Sequence, residues 1–212
     1  VEVAVVVARD ASGNLSAYPP VTMVFDPGLN AVSTVTSPGA LEPDVQEACS
    51  TIACDAITAL DAVGVFAVEL FLAERGELYI NEISPRVHNS GHLTIDAFKH
   101  DQFEQHMRAI TGRPLAPVVP CAPAAVMLNL LYEDSLAPAH TGAAYNTALD
   151  SQDCTMLHWY GKPEARPGRK MGHITALGVS PETALEHAHE GLVRLRSGDF
   201  HPPADAQQAA AL

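Results

Sequence analysis

Three groups of residues in this 212-residue sequence have the types and spacing to do chemistry. The first is a pair of carboxylates. Glu69 interrupts the apolar run Val65-Phe66-Ala67-Val68-Glu69-Leu70-Phe71-Leu72. A carboxylate inside such a strand is costly unless it is paired or bound to a metal. A two-residue hairpin loop at Arg75-Gly76 sets Glu69 directly opposite Glu82. Like charges at that distance persist with a cation between them or with one of them protonated. Oxygen ligands on adjacent strands suit Mg²⁺. Asn81 adds an amide oxygen, on the other face under strict alternation. A solvated, salt-bridged sheet face would carry the same two residues without a metal, and one residue of slip would separate them.

The second group follows at once. Arg86, His88, Asn89, Ser90 and His92 crowd into seven residues, with Pro85 and Gly91 to bend the backbone. Arg offers a planar fork to a carboxylate-like anion, and His serves as acid, base or donor. An ordinary surface loop whose Asn and Ser bond their own backbone has the same composition. The third group is Lys162, Arg166, Arg169 and Lys170, four of only 12 basic residues. Gly161, Pro163, Pro167 and Gly168 keep this segment irregular. A local positive loop in an acidic chain suits a phosphate monoester, and a solvated mobile loop is the competing reading.

The elements that must hold these groups can be read from periodicity. Val3–Arg9, Val21–Phe25 and Ala31–Thr36 read as strands. Val45, Ala48, Ile52, Ala53, Ala56, Ile57 and Leu60 recur at helical spacing, with Gly64 as the stop. Val65–Leu72 and Leu78–Ile83 form the carboxylate hairpin. Asp101 and Glu104 predict a capping box for a helix reaching Thr111. Four prolines in 114–123 read as a linker. Beyond it, Ala124–Leu131, Thr155–Tyr160 and Met171–Leu177 read as strands. Ser180-Pro181 opens a last helix with an apolar stripe of Leu185, Ala188, Leu192 and Leu195. Residues 201–212 read as a frayed tail. The class is α+β, with hairpins rather than a parallel sheet.

Composition narrows the function. Asp plus Glu outnumber Lys plus Arg by 25 to 12, for a net charge of −13. That excludes a general nucleic-acid binder, which needs a basic face. No 18-residue apolar run is present, which excludes a transmembrane helix. Cys49, Cys54, Cys121 and Cys154 lack zinc-ligand spacing, and with no signal peptide a cytoplasmic setting is the default. The chain opens on Val1 in an apolar strand, without an initiator Met, which predicts a piece of something longer.

Taken in order, four stretches resemble 5-(carboxyamino)imidazole ribonucleotide synthase, an ATP-grasp family of purine biosynthesis. They are the Val-Gly-Val-Phe-Ala-Val-Glu69-Leu-Phe strand, the run Asn81-Glu82-Ile-Ser-Pro-Arg86-Val-His88-Asn89-Ser90-Gly91-His92, the run Gln102-Phe-Glu-Gln-His106, and the stretch from Trp159 to His173. The resemblance extends from Val1 to about Leu195. It implies the C-terminal half of an ATP-grasp domain over 1–117 and a small C-terminal domain over 118–200. The family's N-terminal domain and glycine-rich subdomain would precede Val1.

The implied reaction phosphorylates bicarbonate with ATP and transfers the carboxyl group to aminoimidazole ribonucleotide. By match, Glu69 and Glu82 hold Mg²⁺, while Asn81 and Glu82 lie at the ATP phosphates. Glu2 matches an acidic residue at the nucleotide. Arg86 and His88 match catalytic positions in the bicarbonate and substrate loop, which Asn89 and Ser90 continue. Lys162 and Arg169 match residues that hold the ribonucleotide 5′-phosphate. The resemblance also implies a homodimer for the full-length form. Phe25 stands where the family usually has a His, after Thr22-Met23 where an acidic-Asn pair is common. Two alternatives stay open: another ATP-grasp ligase, such as the formate-dependent glycinamide ribonucleotide transformylase, or a non-catalytic ribonucleotide-binding or assembly module.

Overall fold

The structure, a computed structural model, describes residues 1–132, 146–150, 155–164 and 166–197. The tail read over 201–212 lies outside the described residues. The chain divides into two compact units, Val1–Met23 with Val35–Ala122, and Val24–Thr34 with Pro123–Leu212.

In the first unit, β1 (Glu2–Arg9) is the central strand. It pairs antiparallel with β5 (Gly64–Leu72) along its whole length. On its other side it meets first β3 (Val21–Asp26) and then β2 (Leu15–Ala17). Strand β6 (Leu78–Ser84) pairs with β5. Flanked by strands on both sides and covered on both faces, β1 has to be apolar throughout, which explains its Val-rich run. Val3, Val5, Val7, Phe66, Val68 and Leu70 form a core with Cys49, Ala53 and Ile57 of α1 (Pro43–Leu60). The opposite face carries Ala4 and Val6, which border a small cavity with Ser90, Gly91, Leu93 and Thr94. Two short segments lie there, a 3₁₀ turn at Asn89–Gly91 and α2 (Thr94–Ala97), followed by α3 (Gln102–Ile110).

The α+β class is the one observed, an antiparallel sheet with helices. Several details differ from the sequence reading. Helix α1 stops at Asp61, which adopts the left-handed conformation (φ 49°). Asp tolerates that region better than most residues, and Gly64 instead opens β5. Asp61 also ion-pairs with Arg9 at the end of β1. The proline-rich segment is not a free linker. The side chain of Gln105 accepts from Ala116 N–H at 3.0 Å and donates to Ala116 O at 2.8 Å. Lys99 N–H donates to Val119 O, and Cys121 N–H to Ala97 O. The capping box is half formed. Asp101 accepts from Glu104 N–H at 2.8 Å, but the Glu104 carboxylate turns away to His100 and Arg108.

In the second unit, β7 (Ala124–Leu131) pairs antiparallel with β10 (Lys170–Gly178). Next come β9 (Thr155–Trp159) and β8 (Asn146–Asp150). The first residues of β4 (Ala31–Ser37) neighbour β7, where the Asn129 amide donates to Val32 O at 2.9 Å. Helix α4 (Pro181–Ser197) covers the sheet. Its buried stripe is Ala184, Ala188 and Leu195, with Leu192 packed beside them. Leu185 is exposed, because the small Ala184 is what fits against Val126, Leu128 and Ala176.

Candidate functional site

Glu69 and Glu82 are direct cross-strand partners in the β5–β6 hairpin. The expected pairing is present, but the turn is not the expected one. Ala73 N–H donates to Glu77 O, which makes Glu74-Arg75-Gly76 a three-residue loop with Gly76 at φ 89°. That loop sets Leu72 opposite Leu78 and Leu70 opposite Ile80. Continued without interruption, this register would put Asn81 opposite Glu69. The register shifts between Glu69 and Leu70, so Asn81 is a bulged residue and Glu82 takes the place facing Glu69. Ala4 of β1 also pairs with Glu69. Glu2 is two residues from Ala4 on the same face, roughly 7 Å along the strand.

His88 joins the pair. Its Nε2 lies 3.5 Å from Glu69 Oε1. One ligand atom each from Glu69, Glu82 and His88 fall within 4.8 Å of one another. Two carboxylates at this spacing fit Mg²⁺, whose remaining positions are commonly filled by phosphate oxygens and water. Glu69 and His88 are half-buried and Glu82 is exposed, so the cluster has a protein side and an open side.

The loop after β6 is built to hold His88. Its Nδ1 meets Ser90 Oγ at 2.9 Å, and Ser90 is buried. The fully buried Gln102 accepts from His88 N–H at 2.9 Å and bonds His88 O at 2.8 Å and His92 Nδ1 at 2.9 Å. Arg86 is exposed, its guanidinium donating to Val87 O at 3.1 Å. Asn89 is half-buried and begins the 3₁₀ turn.

The basic loop belongs to the second unit. Lys162 Nζ donates to Lys170 O at 2.6 Å and lies 5.2 Å from the centre of the Tyr160 ring. Burial, and secondarily the charge of Arg169, hold the Lys162 ammonium below its usual pKa. Arg169 donates to Glu164 O at 2.8 Å. Gly161 and Gly168 take positive φ here, 63° and 75°, which explains the loop's glycines. Lys162 and Arg169 therefore feel each other's charge, while Arg166 is exposed. The Tyr160 hydroxyl bonds His173 Nδ1 at 2.8 Å. Gln102 stands in the run Gln102–His106 that carries the resemblance, but residue type and spacing assign it no role.

An antiparallel sheet with helices, its hairpin carrying facing carboxylates, is the layout of an ATP-grasp protein, and residues 1–103 match the ATP-grasp domain. Residues 125–187 match the phosphoribosylaminoimidazole carboxylase C-terminal domain. The chain thus carries an ATP-grasp domain and a phosphoribosylaminoimidazole carboxylase C-terminal domain, and it is similar to N5-carboxyaminoimidazole ribonucleotide synthases. The synthase of Synechococcus elongatus is 40% identical over 197 residues, covering 92% of this chain and 48% of that protein. The chloroplastic phosphoribosylaminoimidazole carboxylase of Vigna aconitifolia is 40% identical over 183 residues, covering 84% and 32%. Among solved structures, the Thermotoga maritima synthetase superposes with a TM-score of 0.73 at 38% identity, covering 89% of this chain and 50% of that one. The Aspergillus clavatus synthase in complex with ADP and 5-aminoimidazole ribonucleotide gives 0.76 at 28% identity, covering 92% and 51%. The chain thus spans between about a third and a half of the length of the curated relatives it matches. Among the described residues, no helix is long and apolar enough to cross a membrane.

Proposed function

We propose that this chain supplies the metal and substrate part of an enzyme that carboxylates 5-aminoimidazole ribonucleotide at the expense of ATP. The observation that carries this reading is the facing pair Glu69 and Glu82 with His88 beside it. In the reaction, the terminal phosphoryl group of ATP passes to a bicarbonate oxygen and ADP leaves. The exocyclic amine then attacks the carbon of carboxyphosphate. The N–C bond forms, the C–O bond to phosphate breaks, and the amine loses a proton. Mg²⁺, held by Glu69 and Glu82, would spread the charge of the transferring phosphoryl group.

The chain's own residues divide the work. Glu2, Asn81 and Glu82 border the nucleotide. Arg86 and His88 receive bicarbonate and the amine, with Asn89 and Ser90 shaping the loop. Lys162 and Arg169 hold the 5′-phosphate by charge. An enclosed site protects carboxyphosphate from water. Residues 1–117 and 118–200 are the two functional parts, and the homodimer implied by the resemblance and the cytoplasmic setting taken as the default complete the reading.

The test is ATP consumption by a protein of the relatives' length that carries this chain. The expected result is turnover that requires both aminoimidazole ribonucleotide and bicarbonate. Turnover with glycinamide ribonucleotide and formate in their place would overturn it.

A further inference from the structure

Gln102 is completely buried, yet every atom of its amide is in use. A backbone N–H only donates, so the contact from His88 N–H fixes Oε1 as the atom facing it. Nε2 then donates, both to His88 O and to His92 Nδ1. His92 Nδ1 must therefore be an acceptor, which places the proton of the neutral ring on Nε2. The His92 ring is held from its other side by Phe103, stacked at 5.7 Å with 17° between planes. Gln102 N–H in turn donates to Thr94 Oγ1, whose hydroxyl donates to Gly91 O at 2.6 Å. One side chain thus ties the first and last residues of the His88–His92 loop to the start of α3.

Gly91 is the space this arrangement requires. A Cβ there would lie 2.6 Å from Gln102 Oε1 and 2.8 Å from its Cδ. An alanine would push the amide out of register.

We infer that Gln102 is a positioning residue of the active-site loop: it clamps the His88 main chain and sets the tautomer of His92. The inference of a catalytic consequence rests on the proposed carboxylation, but the clamp itself does not. It has no direct role in the chemistry, since it reaches His88 only through the backbone.

The experiment separates the two. In the 212-residue chain, amide exchange at His88 and the ¹⁵N imidazole signals of His92 are read for the native protein, Gln102→Met, Gln102→Glu, Gly91→Ala and the Gly91→Ala/Gln102→Met double variant. Met preserves the volume and removes all three bonds, so His88 exchange accelerates at least about tenfold while amides in the middle of α1 keep their protection. Glu retains the acceptor, so it restores slow exchange at His88 but moves a proton onto His92 Nδ1. Gly91→Ala behaves like Gln102→Met, and the double variant is no worse than either single one. A native His92 with Nδ1 protonated, His88 exchange unchanged in Gln102→Met, or fully additive effects would each overturn the clamp. In the longer protein, Gln102→Met lowers kcat at least about tenfold and leaves the KM for ATP within about twofold. A normal kcat alongside disrupted His88 exchange would overturn the catalytic consequence alone, and an unmodified protein that does not carboxylate would overturn the proposed function while the exchange data stand.

Discussion

Glu82 faces Glu69 across the β5–β6 hairpin because Asn81 bulges out of the ladder between them and the turn. The two carboxylates repel in the metal-free chain, and the fold tolerates that strain at the edge strand, where Glu82 is exposed. Glu82→Gln should therefore stabilise the metal-free chain by about 0.5 kcal/mol in urea unfolding. Under the proposed function, millimolar Mg²⁺ with ATP should stabilise the native chain, and the same substitution should abolish that stabilisation. A destabilised metal-free variant would show that the pair is held by some attraction instead.

Asp61 combines a left-handed backbone with an ion pair to the nearly buried Arg9 side chain. Asp61→Asn keeps both a residue that tolerates φ 49° and a side-chain oxygen for Arg9. It should cost less than about 1 kcal/mol. Asp61→Val loses the oxygen and puts a β-branched residue into a disfavoured region. It should cost about 2 kcal/mol. Equal losses in the two variants, measured by denaturant midpoint, would contradict this account.

Gln105 secures the proline-rich segment through both backbone groups of buried Ala116. Gln105→Met leaves those groups without their partner and should cost about 2 kcal/mol. Limited proteolysis should then cut within 113–122 faster than in the native chain. Unchanged cleavage there would show that the segment is held by other contacts.

The basic loop predicts a pH dependence. Burial and then Arg169 lower the Lys162 pKa, so its charge is lost at a lower pH than an ordinary lysine's. The sign follows from linkage: a bound phosphate monoester favours the charged form, so binding takes up a proton and weakens as pH rises through the free-state pKa. Ribose 5-phosphate binding, measured by calorimetry, should fall off on the alkaline side. In Arg169→Ala the binding should be weaker overall, with its alkaline decline moved to higher pH. A decline that moves to lower pH would contradict the placement of these two charges together.

Much of this was readable from the chain. The strand Val65–Leu72 announced a buried sheet element, and Glu69 within it called for a polar neighbour, because apolar strands do not carry carboxylates without cause; the structure sets Glu82 across from it and His88 beside it. Ser180-Pro181 opened α4 as expected, with Ser180 Oγ accepting from Thr183 N–H. Other features depended on tertiary context. The hairpin register came from a longer turn corrected by a bulge, two shifts that cancel and that no local pattern announces. The α1 end moved to Asp61 because Arg9, distant in sequence, waits there. Leu185 fitted the helical period but is exposed, while Ala184 is the residue of that turn buried against Val126, Leu128 and Ala176. Gln102 and Gln105 look like solvated helix residues, and only the fold reveals the backbone groups they satisfy.

The measurement closest to the central claim follows ¹³C-labelled bicarbonate in a protein of the relatives' length that carries this chain, with ATP, Mg²⁺ and aminoimidazole ribonucleotide. The account predicts one labelled carboxyl group on the exocyclic nitrogen for each ATP converted to ADP. It also predicts a loss of about a hundredfold or more in this rate for Glu69→Gln and for Glu82→Gln, with the fold retained. ATP hydrolysis without label in the ribonucleotide, or labelling at near-normal rate in both variants, would contradict it.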